Sequence, residues 1–101
     1  MEKQKKKKIL KYTKCFKVYE EELTWELFTK YLNDNMEFCF YFNNITIHIA
    51  FHYENKIKVY ELNISSGEKI TNLVFNSVDE LTSFKAFNNK TLYDVWDELE
   101  N

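Results

Sequence analysis

Three side chains in the segment MEFCFYFNNITIHIAFHY, Met36 to Tyr53, can do chemistry: Cys39, His48 and His52. They include both histidines of the chain and one of its two cysteines. Asn43-Asn44 suits the positive φ values of a two-residue hairpin turn. Such a turn pairs Phe42 with Ile45, Phe40 with Ile47 and Phe38 with Ile49. On the opposite face it sets Cys39 directly across from His48, with Cβ atoms about 4.5–5.5 Å apart. A thiolate beside an imidazolium is the arrangement of a cysteine nucleophile.

The surrounding sequence argues for a plainer role. His48 and His52 are four apart on one strand, roughly 13 Å, too far to share a metal without unusual bending. Cys39, His48 and Glu37 are fewer ligands than a tetrahedral zinc site takes. No Gly-rich elbow or oxyanion loop accompanies the pair. No catalytic residue, metal or cofactor is therefore expected. Glu37, Cys39, Tyr41, Thr46, His48 and His52 read as an outer sheet face. Tyr41, His48 and His52 are its candidate partner contacts.

The rest of the chain supplies the elements that would hold this face. Residues 1–8, MEKQKKKK, read as a flexible lysine-rich tail, and 9–101 as a single domain. ILKYTKCFKVY fits either an edge strand or a lead-in to the first helix. LTWELFTKYLNDN predicts a helix, with Thr24 as N-cap and Trp25, Phe28, Tyr31 and Leu32 at helical spacing. Period-two alternation then predicts strands around Phe38–Phe42 and Ile45–Tyr53. IKVYELNI is a third strand whose apolar phase shifts between Val59 and Tyr60, which implies a bulge or cover on both faces. KITNLVF is the fourth. Ser77-Val78-Asp79-Glu80 is a capping-box sequence, and Thr91 caps a last helix carrying Leu92, Val95, Trp96 and Leu99 on one face. The expected fold is α+β: an N-terminal helix, a four-stranded antiparallel meander, and two short C-terminal helices packed on one sheet face. The expected core is Trp25, Phe28, Leu32, Phe38, Phe40, Ile47, Ile49, Val59, Leu62, Val74, Leu81, Phe84, Leu92, Val95, Trp96 and Leu99.

Aromatics make up 18% of the 101 residues, enough bulky apolar surface for a small chain to fold. No apolar run is long enough for a secretory core or a membrane span. A cytoplasmic protein with reduced thiols at Cys15 and Cys39 is expected, with no membrane partner.

Charge is distributed unevenly. Through Lys17 there are eight lysines and one glutamate, a net +7; from Val18 onward there are six lysines and fifteen acids, a net −9. Lys3, Lys5, Lys6, Lys7, Lys8, Lys11 and Lys14 are candidate phosphate contacts, and Tyr12 and Phe16 could stack on bases. The same run could also lie over the chain's own acidic body. Every basic residue is lysine. The lack of arginine argues against base-specific DNA reading, and one glycine excludes a Gly-rich phosphate loop. The acids Glu20, Glu21, Glu22, Asp94, Asp97 and Glu98 are candidates for meeting a basic protein partner.

LTWELFTKYL, FYFNNITIHIAFHY and FNSVDELTSFKAFNNKTLYDVWDELE together resemble small α+β proteins of low-GC bacteria and their mobile elements. The likeness covers roughly Leu23 to Glu100. It is strongest at the Ser-x-x-Glu-Leu cap and at Lys90-Thr91-Leu92 leading into Val95-Trp96-Asp97-Glu98. In size and style these proteins are similar to anti-CRISPR and other anti-defence inhibitors. The resemblance implies a non-catalytic inhibitor that occupies a basic site on a nucleic-acid-handling partner, such as a host defence nuclease. The alternative is a nucleic-acid-binding accessory protein working through the lysine arm. Monomer and homodimer are both open, since an edge strand can pair with a second copy.

Overall fold

Two-residue turns set the architecture, and asparagine builds most of them. With a single glycine available, Asn43-Asn44, Asn55-Lys56 and Asn88-Asn89 take the left-handed conformation in pairs. The computed structural model describes residues 8–14 and 16–100, and for Leu10 to Lys14 the backbone alone. The elements are β1 (Lys8–Lys14), β2 (Lys17–Leu23), α1 (Trp25–Asn33), β3 (Phe38–Phe42), β4 (Ile45–Glu54), β5 (Ile57–Ser66), β6 (Lys69–Phe75), α2 (Val78–Ser83) and α3 (Leu92–Val95), which runs into a 3-10 turn at Trp96–Glu98.

The protein is α+β, with a four-stranded antiparallel sheet in the order β3-β4-β5-β6 and short helices. The segment before the first helix is a strand pair: β1 and β2 form a separate antiparallel hairpin. Glu20, Glu21 and Glu22, read from sequence as preceding a helix, therefore lie in β2. The first hairpin of the large sheet has the register that its turn dictates, with Phe38 opposite Ile49, Cys39 opposite His48 and Phe40 opposite Ile47. β5 pairs with β4 without interruption from Ile57 to Ser65. The phase shift at Val59-Tyr60 is thus no bulge, and both residues are buried.

Local capping sets the helix ends. The Thr24 hydroxyl accepts from Leu27 N at 3.1 Å, and the Lys58 Nζ donates to the last-turn carbonyls of Leu32 and Asn33 at 3.4 and 3.3 Å. A cation there also suits the helix dipole. Ser77 Oγ accepts from Glu80 N at the start of α2. Thr91 and Asp94 cap α3 reciprocally.

One apolar cluster joins these pieces. Phe28 and Leu32 of α1, Val78 and Leu81 of α2, Leu92 and Val95 of α3, and Trp96 and Leu99 pack with Phe38, Phe40, Ile47, Ile49 and Leu62. Trp96 is fully buried. Its ring centroid lies 5.3 Å from Trp25, 5.0 Å from Phe28 and 5.6 Å from Phe40.

Lys8, grouped by sequence with the tail, opens β1 and is buried. Its ammonium donates to the Leu99 carbonyl at 2.6 Å and stands 4.9 Å from the Trp96 ring. Lys3, Lys5, Lys6 and Lys7 lie outside the described residues. Two expected core residues are exposed: Val74 at 46% and Phe84 at 44%. Val74 has the parity of the face opposite Leu62 and Leu73. Phe84 ends α2, in extended backbone, and lies against Phe75 on the sheet margin. Trp25 is only partly buried. Leu23, Tyr60 and Phe87 are core residues outside the expected set. Among the described residues no helix is long and apolar enough to cross a membrane.

Replacing Trp96 by Ala should cost about 3–5 kcal/mol, the usual loss for a buried large aromatic, read as a lower urea midpoint. Lys8→Met keeps the stem but removes the donor to Leu99. It should cost about 1–3 kcal/mol by stranding a buried carbonyl, measured in the same unfolding series.

Candidate functional site

The face of the large sheet that bears Cys39 also carries Tyr41, Thr46, His48, Ala50, His52, Val59, Glu61, Asn63, Ile70, Asn72 and Val74 by strand parity. Cys39 and His48 sit opposite each other as the turn requires, and both are exposed. Cys39 is a free thiol. It hydrogen-bonds Tyr41, two residues along the same strand, and so raises the phenol above its ordinary pKa, with charge interaction and slight burial adding to this.

His52 behaves differently from His48. Its Nε2 lies 2.9 Å from Glu54 Oε1 and its Nδ1 lies 3.2 Å from Glu61 Oε2. Carboxylates on both ring nitrogens favour the doubly protonated ring, because each nitrogen must then donate. The hydrogen bond that His52 donates to Glu54 raises the His52 pKa most; burial lowers it, and Glu61 raises it again. An imidazolium held this way has no lone pair for a metal or for general-base work. The network continues sideways. Asn72 Nδ2 donates to Glu61 Oε1 at 3.1 Å and to Asn63 Oδ1. Glu54, His52, Glu61, Asn72 and Asn63 thus link β4, β5 and β6 across the face. Single-sequence reading finds the two histidines but not this chain, because Glu61 and Asn72 come from strands whose register is a tertiary fact.

The second feature is at the Asn43-Asn44 end. The C-terminal segment adds to the free edge of β3: Tyr41 N donates to Glu100 O at 2.7 Å, and Glu100 N to Tyr41 O at 2.9 Å. This brings Glu98 and Glu100 beside the hairpin tip. A cleft of about 510 Å³ opens there, lined by Tyr41, Asn43, Asn44, Thr46, Glu98 and Glu100 among others. A neighbouring cleft of about 400 Å³ shares Phe42, Asn43, Ile45 and Glu98 and adds Phe87 and Lys90. Tyr41 and Glu98, assigned by sequence to different surfaces, therefore border one cleft. Glu100 belongs by sequence to the same acidic C-terminal run as Glu98; its place beside Tyr41 comes from the backbone bridge between them.

The remaining sequence candidates are spread out or already engaged. Glu21 accepts from Tyr31 OH at 2.7 Å and so ties β2 to α1. Glu20 stands opposite Lys11 in the β1–β2 register, Glu22 opposite Ile9, and Lys14 opposite Lys17. Asp94 caps α3 by accepting from Thr91 N at 3.0 Å, and Asp97 is half-buried. Neither Asp94 nor Asp97 lines the two clefts. Among the described residues no group of three or more His, Cys, Asp or Glu could hold a metal ion.

A folded-state pKa raised above the unfolded one gives His52 a stabilising role that is complete below about pH 6.5, its ordinary pKa. That contribution is lost as pH rises through the higher folded-state value. Proton NMR should place the His52 midpoint above about 6.5, and Glu54→Gln should lower it more than Glu61→Gln does. The urea midpoint should fall across that window in the native chain but not in His52→Gln.

No family model, curated protein or solved structure matches the chain.

Proposed function

We propose that this chain is a non-catalytic, cytoplasmic binding protein that acts stoichiometrically on a protein partner with a basic surface. The observation that carries this reading is the cleft at the hairpin tip, which Tyr41, Glu98 and Glu100 line together. Two carboxylates and an aromatic ring suit an inserted lysine or arginine, which the carboxylates pair and the ring covers. The adjoining face is cross-linked by the Glu54–His52–Glu61–Asn72 network, which limits the ordering cost of docking. We take α1, α2 and α3 to cover the Phe and Ile side of the sheet, so that the Cys39 side is the one presented outward. Cys39 and His48 on an exposed face, and His52 occupied by carboxylates, favour binding over catalysis. Basic surfaces are common on nucleic-acid-handling proteins, so a nuclease of a host defence system is the partner class we favour. The lysine arm is the less favoured site, since Lys8 is committed to Leu99.

A tagged chain should capture a protein from cytosolic lysate after nuclease treatment. Glu98→Lys with Glu100→Lys should weaken that capture at least about tenfold, a loss of about 1.4 kcal/mol, with the thermal midpoint unchanged. Undiminished capture by the double variant would remove the cleft as the site. A catch that vanishes with nuclease would move the activity to the lysine arm.

A further inference from the structure

The two expected core residues that the structure leaves exposed, Val74 and Phe84, both border the last strand of the sheet, one on each face. Val74 is in β6, and the Phe84 ring lies 5.4 Å from that of Phe75 at the end of the same strand. Ile70, also in β6, is 72% exposed. β6 is an edge: it pairs with β5 on one side, and among the described residues no strand pairs with the other. The turn closed by Ser66 and Lys69 fixes which backbone groups point outward. Lys69, Thr71, Leu73 and Phe75 exchange bonds with β5, so the N–H and C=O of Ile70, Asn72 and Val74 face the open side. Natural edges are usually blunted by charge, proline or a bulge. β6 has an uninterrupted register and no charged residue or proline from Ile70 to Phe75.

We propose that the β6 edge is a self-association surface whose occupant is β6 of a second copy of this chain. The three outward residues are evenly spaced around Asn72, so a two-fold axis there makes the edge complementary to itself. Ile70 then pairs with Val74 of the other copy, Asn72 with Asn72, and Val74 with Ile70. Each pair exchanges two backbone bonds. The exposed aliphatic side chains meet across the junction on one face. On the other face Lys69 of each copy falls opposite Phe75 of its mate, next to Phe84 and the first turn of α2, where Asp79 and Glu80 are both exposed. That charge match, present twice by symmetry, favours a second copy over an unrelated strand. Pairing stops at two. A continuous eight-stranded sheet has β3 at both ends, and each β3 already carries its own Glu100 at Tyr41.

Sedimentation of the full chain across a wide concentration range tests this. A reversible dimer is expected. Ile70→Lys puts two like charges into the junction, so the dimer dissociation constant should rise at least about tenfold. Ile70 is exposed, so circular dichroism and the monomer's melt should not change. Lys69→Glu should weaken the dimer, and adding Asp79→Lys should restore it. A chain that stays monomeric at all concentrations overturns the proposal. A dimer indifferent to Ile70→Lys, or a Lys69→Glu defect that Asp79→Lys does not rescue, overturns it too. None of these variants touches Tyr41, Glu98 or Glu100, so the result is independent of partner capture at the cleft.

Discussion

The burial of Trp96 is the constraint on which the rest of the structure depends. Its indole is the meeting point of elements far apart in sequence. Trp25 and Phe28 reach it from α1, Phe40 from β3, and the Lys8 ammonium from β1. A chain of 101 residues buries a smaller share of its surface than a large one and has few aliphatic layers to spend. Large aromatic rings compensate, because each removes much apolar area from water and prefers edge or tilted contact with its neighbours. The short α3 and its 3-10 turn have little helical stability of their own. They hold their place because Leu92, Val95, Trp96 and Leu99 are buried.

The same anchoring creates the candidate site. Once Trp96 and Leu99 are seated, the next residue falls beside the free edge of β3. Glu100 then exchanges two backbone bonds with Tyr41. Glu98 and Glu100 are carried to the hairpin tip as a consequence. The Lys8 bond to the Leu99 carbonyl closes the arrangement from the other side. N-terminal strand, C-terminal segment and cleft therefore form one mechanical unit. A buried ammonium is costly unless its donors are used, and here the carbonyl and the indole face use it.

The polar network on the opposite side of the sheet has a different logic. A flat face of aliphatic residues would invite aggregation. Glu54, His52, Glu61, Asn72 and Asn63 instead bond to each other across three strands. Tyr41, Cys39 and His48 remain exposed beside them. The sheet is asymmetric at its two edges as well: β3 is partly covered by Glu100, while β6 is unpaired among the described residues and carries no charge from Ile70 to Phe75.

Much of this was legible in the sequence, for local reasons. Thr24, Ser77 and Thr91 cap helices because a hydroxyl at that position meets an orphan amide. Asn43-Asn44 sets the β3–β4 register because asparagine tolerates left-handed backbone, and a two-residue turn permits one pairing. Period-two alternation then placed Phe38, Phe40, Ile47 and Ile49 inside and Cys39 opposite His48. What escaped was whatever depends on distant chain segments. Periodicity labels Val74 and Phe84 apolar but does not say whether anything covers them. Charge counting marks Lys8 as tail and Glu21 as surface, yet one ammonium is buried on Trp96 and the carboxylate bonds Tyr31. The meeting of Tyr41 with Glu100, and of His52 with Glu61, belongs to strand order and packing, which the folded chain alone decides because those contacts join residues that no local pattern links.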